Sequence, residues 1–316
     1  MTLCRRPAAH EAGFNDQPEV IMSPATRASI VVGLDGSAGA HPALVWAVDA
    51  ARRRHVRLRL VHAMDLTKNT SRWQDSMPPV EVQRDMAWSV LTTAVVDLED
   101  IDMTVELHLD LGRPASVILE QARDAQMVVV GSRGLGDLAG LLLGSTSLQV
   151  AMHASCPVVV VRAGAHQLDE GRSAGRIVVG VDGSEVSEAA IGFALEEADI
   201  RGVGLTALHA WQWPVQPINA TPAHEWAAAQ EEEQALLAEW LAGWTEKYPD
   251  VEVIKRTRRA DPASALVAES VGAALTVIGT RGAGGFKGLL LGSVSHAVLH
   301  HAESPVAVVR TPKHER

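Results

Sequence analysis

The sequence predicts an α/β protein built from two copies of one domain, each a parallel sheet with helices on both faces. Short apolar runs alternate with helix-compatible stretches, which is typical of parallel strands joined by right-handed helical connections. The whole alternation occurs twice in 316 residues, which indicates a duplicated domain. We therefore expect domains over 28–163 and 176–311, a linker over 164–175, and flexible tails over 1–27 and 312–316.

The first half of each copy runs strand, helix, strand, long helix, strand. The opening strand ends in Asp-Gly-Ser, with Asp35 in the first copy and Asp182 in the second. The serines of this motif, Ser37 and Ser184, are placed to cap the helix that follows. The later elements are predicted at 58–63 and 205–210 (second strands), about 80–99 and 223–247 (long helices), and near 103–109 and 251–257 (third strands).

The second half of each copy runs helix, buried strand, glycine loop, helix, strand. The helix begins with a proline in its first turn, Pro114 or Pro262. A short apolar run then leads into a loop of the same spacing in both copies, G-x2-G-x9-G-S, over 131–145 and 279–293. The closing strands, each opened by a proline, are predicted at 157–161 and 305–309.

The glycine loop is suited to an anionic ligand. Glycines allow positive φ and close approach of the backbone, while loop N–H groups and a helix N-terminus can bind phosphate oxygens. A single loop of this kind would be as well explained by a tight turn, but two in register favour a ligand. Because ligands of parallel sheets bind at the carboxyl ends of the strands, we expect Asp35 and Gly131 to face one crevice, and Asp182 and Gly279 another.

The composition narrows the class of protein. The net charge of −10 argues against a general nucleic-acid-binding surface. No apolar run approaches the roughly 18 residues of a membrane span. The two cysteines, Cys4 and Cys156, fit a reducing compartment, and we expect a cytoplasmic protein. Met22 is a second candidate start, so the translation of residues 1–21 stays open.

Several enzyme and metal classes fit poorly. The glycine spacing matches neither the dinucleotide pattern G-x-G-x-x-G nor the Walker pattern, and no G-x-S-x-G elbow follows a strand. His296 and His300 are four residues apart on a predicted helix and could form a metal pair. Their counterparts in the first copy are Leu148 and Met152, and two ligands are too few for catalytic zinc, so we predict no metal ligands here.

Together, the strand ending in Asp-Gly-Ser, the glycine loop and the closing Pro-valine strand resemble the universal stress protein family. The resemblance covers nearly all of residues 28–311, in a tandem two-domain form of the actinobacterial type. The loop pattern marks the ATP-binding branch of that family. The resemblance implies five-stranded sheets of order 3-2-1-4-5 related by a pseudo-two-fold axis. It also implies a stress-response nucleotide sensor with one ATP site per domain, with Mg²⁺ accompanying the ATP.

The resemblance also implies the cofactor-binding residues. The aspartates would contact the ribose or adenine side, the alanines after the second strands the adenine, and the loop glycines and hydroxyls the phosphates. In the first copy the positions are Gly33, Asp35, Ala63, Gly131, Ser132, Arg133, Gly134, Leu135, Gly136, Asp137, Gly144, Ser145, Thr146 and Ser147. In the second copy they are Gly180, Asp182, Ala210, Gly279, Thr280, Arg281, Gly282, Ala283, Gly284, Gly285, Gly292, Ser293, Val294 and Ser295.

The two loops differ, and this difference bears on affinity and turnover. Asp137 of the first loop could help place Mg²⁺ or could repel phosphate. Lys287 occurs only in the second loop, where Ala139 stands in the first, so we expect the second site to be tighter. Slow ATP hydrolysis stays an alternative to binding alone. Phosphoryl transfer needs positioning and charge neutralisation, for which few groups besides Arg133 and Arg281 are available.

The closing strands predict how the copies meet. In the order 3-2-1-4-5 the fifth strand lies at a sheet edge, and an apolar edge invites pairing with another strand. Members of the resembling family pair these strands across a two-fold axis, and the linker is long enough for the two copies to pair within one chain. We also expect a homodimer and an unidentified regulatory protein partner.

Overall fold

The computed structural model describes residues 29–66, 78–96, 98, 103–134, 143–162, 173–212, 223–282 and 290–311. Within each half of them, strands and helices alternate. The first half contains β1 (Ser29–Gly33), α1 (Ala40–Arg54), β2 (Arg57–Met64), α2 (Val80–Val96), β3 (Val105–Leu111), α3 (Pro114–Gln121), β4 (Met127–Gly131), α4 (Ser145–His153) and β5 (Val158–Val161). The second half contains β6 (Ile177–Gly180), α5 (Glu185–Arg201), β7 (Leu205–Trp211), α6 (Ala223–Lys247), β8 (Val253–Arg259), α7 (Pro262–Glu269), β9 (Leu275–Gly279), α8 (Ser293–His301) and β10 (Val306–Val309).

The described strands form one ten-stranded sheet in the order β3-β2-β1-β4-β5-β10-β9-β6-β7-β8. Each half therefore has the order 3-2-1-4-5, and the strand pairs within a half are parallel. The halves meet where β5 and β10 pair antiparallel, with Val159 opposite Ala307. This arrangement confirms the predicted fold class, and it joins the two predicted sheets into a single one through their fifth strands.

Helices cover both faces of the sheet because the strands are apolar on both sides. Ile30 and Val32 of β1 share a buried cluster with residues of α1, α2, α5 and α6. Val31 points to the opposite face and lies in a second cluster with residues of α3, α4, α7 and α8. Such continuous apolar strands are expected of a parallel sheet buried on both faces. Both clusters contain residues of the two halves, so the halves share a core.

A buried ion network reinforces the junction of the halves on the α1 and α5 face. Glu197 of α5 is fully buried, and its carboxylate lies 2.5 Å from Arg54 of α1 and 3.0 Å from Arg201. Arg201 also donates to Asp49 of α1 at 3.0 Å and lies over the Trp46 ring. The network therefore ties α1 to α5, and removal of its buried carboxylate would leave guanidinium charge uncompensated.

Two local predictions are wrong. Ser37 does not cap α1, which begins at Ala40 after the N-cap Gly39, with no side-chain cap bond. Ser184 does cap α5, because its hydroxyl oxygen accepts the N–H of Ser187 at 3.2 Å. In the first copy a glycine, which is a poor helix former, stands at a position that in the second copy already belongs to the first turn of α5. The third strands also begin and end about two residues later than predicted, because their pairing with β2 and β7 continues past the apolar run.

Candidate functional site

A crevice of about 610 Å³ opens at the carboxyl ends of the strands in the second half. The chain brings separate stretches together there, from the ends of β6, β7 and β9 and from the first turns of α5, α7 and α8. Among its lining residues are ten of those predicted from the sequence: Gly180, Asp182, Ala210, Gly279, Arg281, Gly282, Gly292, Ser293, Val294 and Ser295.

The start of α8 is tied to the end of β9. The N–H of Gly292, the N-cap of α8, donates to the Thr280 carbonyl at 2.8 Å, and the Ser295 hydroxyl donates to the Gly279 carbonyl at 2.7 Å. The first N–H groups of a helix have no acceptor within the helix, and together with the helix dipole they favour an anion. The Ser295 hydroxyl would have to rotate to reach a phosphate. Thr280 is buried and does not line the described crevice.

The first half repeats this geometry. The N–H of Gly144 donates to the Ser132 carbonyl at 2.7 Å, and the Ser147 hydroxyl donates to the Gly131 carbonyl at 2.6 Å. Ser132 and Ser147 are buried, whereas Ser145, the first residue of α4, is exposed. The predicted positions that lie outside the described residues are Leu135, Gly136 and Asp137, and in the second copy Ala283, Gly284 and Gly285.

Asp35 and Asp182 occupy the same turn in the two halves. The Asp182 carboxylate accepts the backbone N–H of Ser184 at 3.1 Å and its hydroxyl at 2.6 Å. Asp35 accepts the N–H of Ser37 at 3.0 Å. Gly183, between the two partners in the second half, has a φ of 75°, a conformation that glycine adopts without strain. These bonds orient each carboxylate towards its own glycine loop.

Of the two reasons that the sequence suggested for the loop glycines, positive φ is wrong for those within the described residues, whereas close approach of chain segments applies. None of the loop glycines within the described residues has a positive φ. A Cβ on Gly134 would run into the Asp35 carboxylate, and a Cβ on Gly282 would run into that of Asp182. Each aspartate therefore contacts its glycine loop across the crevice, as the strand order required.

The apolar wall of the crevice was not predicted. Leu208, Leu266 and Ile278 line it, beside Pro262 at the start of α7. A Cβ on Gly180 would lie 3.0 Å from Leu266, so the glycine that ends β6 lets α7 approach the sheet. The repeated proline helix start was a usable signal, because an apolar residue follows each proline by four positions, one helical turn later.

The repeated histidines His62 and His209 stabilise the turn rather than line the described crevice. The Nδ1 atom of His62 lies 2.6 Å from the Leu34 carbonyl, and that of His209 lies 2.8 Å from the Val181 carbonyl. His209 also contacts Glu233 of α6, with 2.9 Å between Nε2 and the carboxylate. Both histidines thus hold the residue that precedes the aspartate of their own half.

The described residues lack two classes of feature. They contain no helix long and apolar enough to cross a bilayer. They contain no group of three or more His, Cys, Asp or Glu side chains placed to hold a metal ion. His296 and His300 do lie side by side on α8, with ring centroids 4.4 Å apart.

Comparisons with known proteins agree with this architecture. The family model described as the universal stress protein family matches residues 27–162 and again residues 174–310. A universal stress protein of Mycolicibacterium smegmatis is 40% identical over 294 residues, which cover 90% of this chain and 98% of that protein. One of Mycobacterium tuberculosis is 39% identical over 296 residues, covering 91% and 98%.

A solved structure shows the same fold. The crystal structure of a universal stress protein from Archaeoglobus fulgidus superposes with a TM-score of 0.65 at 20% identity, over 89% of this chain and 98% of that one. The two family matches cover one half each, and the mycobacterial relatives extend over both halves. The chain therefore belongs to the universal stress protein family, as a tandem two-domain member.

Proposed function

We propose that each half of the protein binds one ATP, with Mg²⁺, in the crevice at the carboxyl ends of its strands. One observation carries the proposal. The second-half crevice combines an apolar wall, a carboxylate and a helix N-terminus within about 610 Å³. These three surfaces correspond in chemistry to the base, the sugar and the phosphates of a nucleotide.

Each surface has a definite role in this proposal. Leu208, Leu266 and Ile278 would contact the adenine, and Asp182 would accept hydrogen bonds from the ribose hydroxyls. The N–H groups at the start of α8 and the Arg281 guanidinium would bind the phosphates. Bound Mg²⁺ would neutralise phosphate charge. Asp137, the side chain predicted to help place it in the first half, lies outside the described residues.

Binding is favoured over turnover. Asp182 is the single carboxylate among the described lining residues, and its proposed contact with the ribose would leave it away from the terminal phosphate. We therefore infer a nucleotide-responsive regulator of a stress response in the cytoplasm. It would act as a homodimer on a protein partner. If the protein is a slow ATPase instead, nucleotide bound to it will be recovered as ADP.

The phosphate end can be tested without weakening the fold. Ser293 is exposed at the first position of α8, where a carboxylate complements the helix dipole. Ser293→Glu should therefore keep the melting temperature, yet remove about one of two equivalents of bound ATP in calorimetry, because it repels phosphate. Ser293→Gln is the neutral control of matched size. Two retained equivalents in Ser293→Glu would reject the proposed phosphate site.

A further inference from the structure

Two arginines connect the halves at a place that the sequence did not single out. Arg162 follows β5, and Arg310 follows β10. The Nη2 atom of Arg162 donates to the carbonyls of Leu299 (2.9 Å) and His300, the last turn of α8 in the opposite half. Nη2 of Arg310 donates in the same way to the carbonyls at the end of α4. Each half thus caps the C-terminus of a helix in the other half. That helix, α4 or α8, is called the phosphate helix because its N-terminus is proposed to bind phosphate.

The antiparallel pairing of β5 with β10 explains this exchange. It reverses the strand direction between the halves, so the carboxyl end of β5 lies beside the amino ends of the second-half strands. Helices in such a sheet run against the strands, so α8 ends at that edge. The last carbonyls of a helix have no partner within it. A guanidinium can bond two of them at once while its charge complements the helix dipole.

Each arginine is also adjacent to the glycine loop of its own half, which is proposed to bind phosphate. The residue before Arg162, Val161, accepts the N–H of Ser132 at 2.8 Å and pairs with Gly131. Burial and the nearby charge of Arg133 lower the pKa of Arg162. The second half is equivalent, since burial and Arg281 lower the pKa of Arg310. A phosphate bound at one loop would offset the repulsion between the two arginines of that half. One of these arginines caps the helix of the opposite half.

We infer that Arg162 and Arg310 are positioning residues, each of which holds the phosphate helix of the opposite half, so that the two crevices are energetically coupled. α8 has nine residues, about two and a half turns, so fraying at its end reaches its beginning. The inference rests on the proposed ATP site in each half. Because coupling is reciprocal, occupancy of either crevice changes the affinity of the other by the same factor.

Arginine-to-lysine substitutions separate this role from local charge. Arg162→Lys keeps the positive charge beside Arg133, but its side chain ends one bond short of the Nη2 position that reaches the two carbonyls. In a Ser145→Glu background only the second crevice is open, and there Arg162→Lys should weaken ATP binding about fivefold or more. In a Ser293→Glu background only the first crevice is open, and ATP affinity should stay within about twofold. Arg310→Lys should give the reverse pattern. Weakening of the arginine's own crevice alone, or of neither crevice, would overturn the inference.

A second readout does not depend on nucleotide. The amide of His296 makes the first helical bond of α8, to Gly292 at 2.9 Å, and the amide of Leu148 makes the matching bond of α4, to Gly144 at 3.0 Å. In ligand-free Arg162→Lys, hydrogen exchange should accelerate at His296 but not at Leu148. If the substitution accelerates exchange equally at both amides, or leaves exchange at His296 unchanged, the positioning role is refuted. If the wild type binds no ATP, the proposed function fails, whereas this measurement still decides whether Arg162 holds α8.

Discussion

Gly131 and Gly279 occupy equivalent positions at the residue scale, yet a methyl group would meet different atoms at each. A Cβ on Gly131 would lie 2.6 Å from the backbone carbonyl oxygen of Gly39, whereas one on Gly279 would lie 2.7 Å from a methyl group of Val186. Backbone cannot move away cheaply, but a valine side chain can rotate. The repeat singled out both glycines in the sequence, while the atoms that a Cβ would meet become visible only in the fold.

Gly131→Ala should destabilise the protein by about 1–3 kcal/mol, as overpacking does. Gly279→Ala should cost clearly less, because its neighbour is the end of a side chain. Urea denaturation of the two variants checks this order. Equal losses would mean that the two loops are supported in the same way. Both variants should also lose about one equivalent of ATP, because the loop meets the ligand through its backbone.

Asp182 combines a turn with a proposed ligand contact, and the two roles can be separated. Asp182→Asn keeps an oxygen for the Ser184 N–H but removes the charge. Its melting temperature should stay near wild type, while ATP binding weakens by about 1.5–3 kcal/mol, the usual worth of a hydrogen bond to a charged group. Ser184→Ala is the control, since it disturbs the turn and the cap of α5 but keeps the carboxylate. Unchanged affinity in Asp182→Asn would exclude the ribose contact.

At the element scale, salt bridges link β2 to β3 at the outer edge of the sheet. Arg57 and Arg59 of β2 donate to the Glu106 carboxylate of β3 at 2.7 and 3.1 Å. The neighbouring His108, together with Arg59 and Arg57, lowers the pKa of Glu106 from its ordinary 4.5 to about 2. A carboxylate whose pKa is lower in the folded state stabilises the fold at pH values above its unfolded-state pKa. This contribution is lost as the pH falls through the folded-state pKa.

Glu106→Gln should therefore be less stable than wild type at neutral pH, and the gap should close as the pH falls from about 4.5 to about 2. Urea denaturation over this range measures the difference between the two proteins. Glu120→Gln removes an exposed partner of Arg123, where screening leaves little to lose, and it should show almost no gap at any pH. A gap for Glu106→Gln that persists at low pH would contradict this account.

The elements show which features of the fold a sequence can reveal. Apolar runs predicted the strands, and the prolines Pro114 and Pro262 marked the starts of α3 and α7. The N-cap of α1 was assigned to Ser37 instead of Gly39, because serine and glycine both occur as N-cap residues. Arg162 and Arg310 follow each closing strand, a regularity visible in the sequence. Their partners lie in the opposite half, which no local pattern indicates.

At the scale of the whole molecule, the junction of β5 with β10 decides whether the halves unfold together. Val159 and Ala307 are fully buried there. Val159→Lys should cost about 3 kcal/mol or more by burying an unpaired charge, and should let the halves melt separately. Val45→Lys, at an exposed position of α1, is the control and should leave the single transition unchanged.

Limited proteolysis gives an independent reading of the same variant. Cleavage between residues 164 and 175 should release separable halves from Val159→Lys but not from Val45→Lys. If cleaved Val159→Lys stays together and melts in one step, the fifth strands are not what unites the halves. The buried carboxylate of Glu197, which has no equivalent in the first copy, would then be the next candidate.

The antiparallel junction has one more consequence, for the directions in which the protein faces its surroundings. Reversal of strand direction at β5 and β10 turns the carboxyl ends of the first half towards one rim of the sheet and those of the second half towards the other. The two proposed nucleotide sites therefore face in opposite directions, and a flat partner surface can cover only one of them at a time.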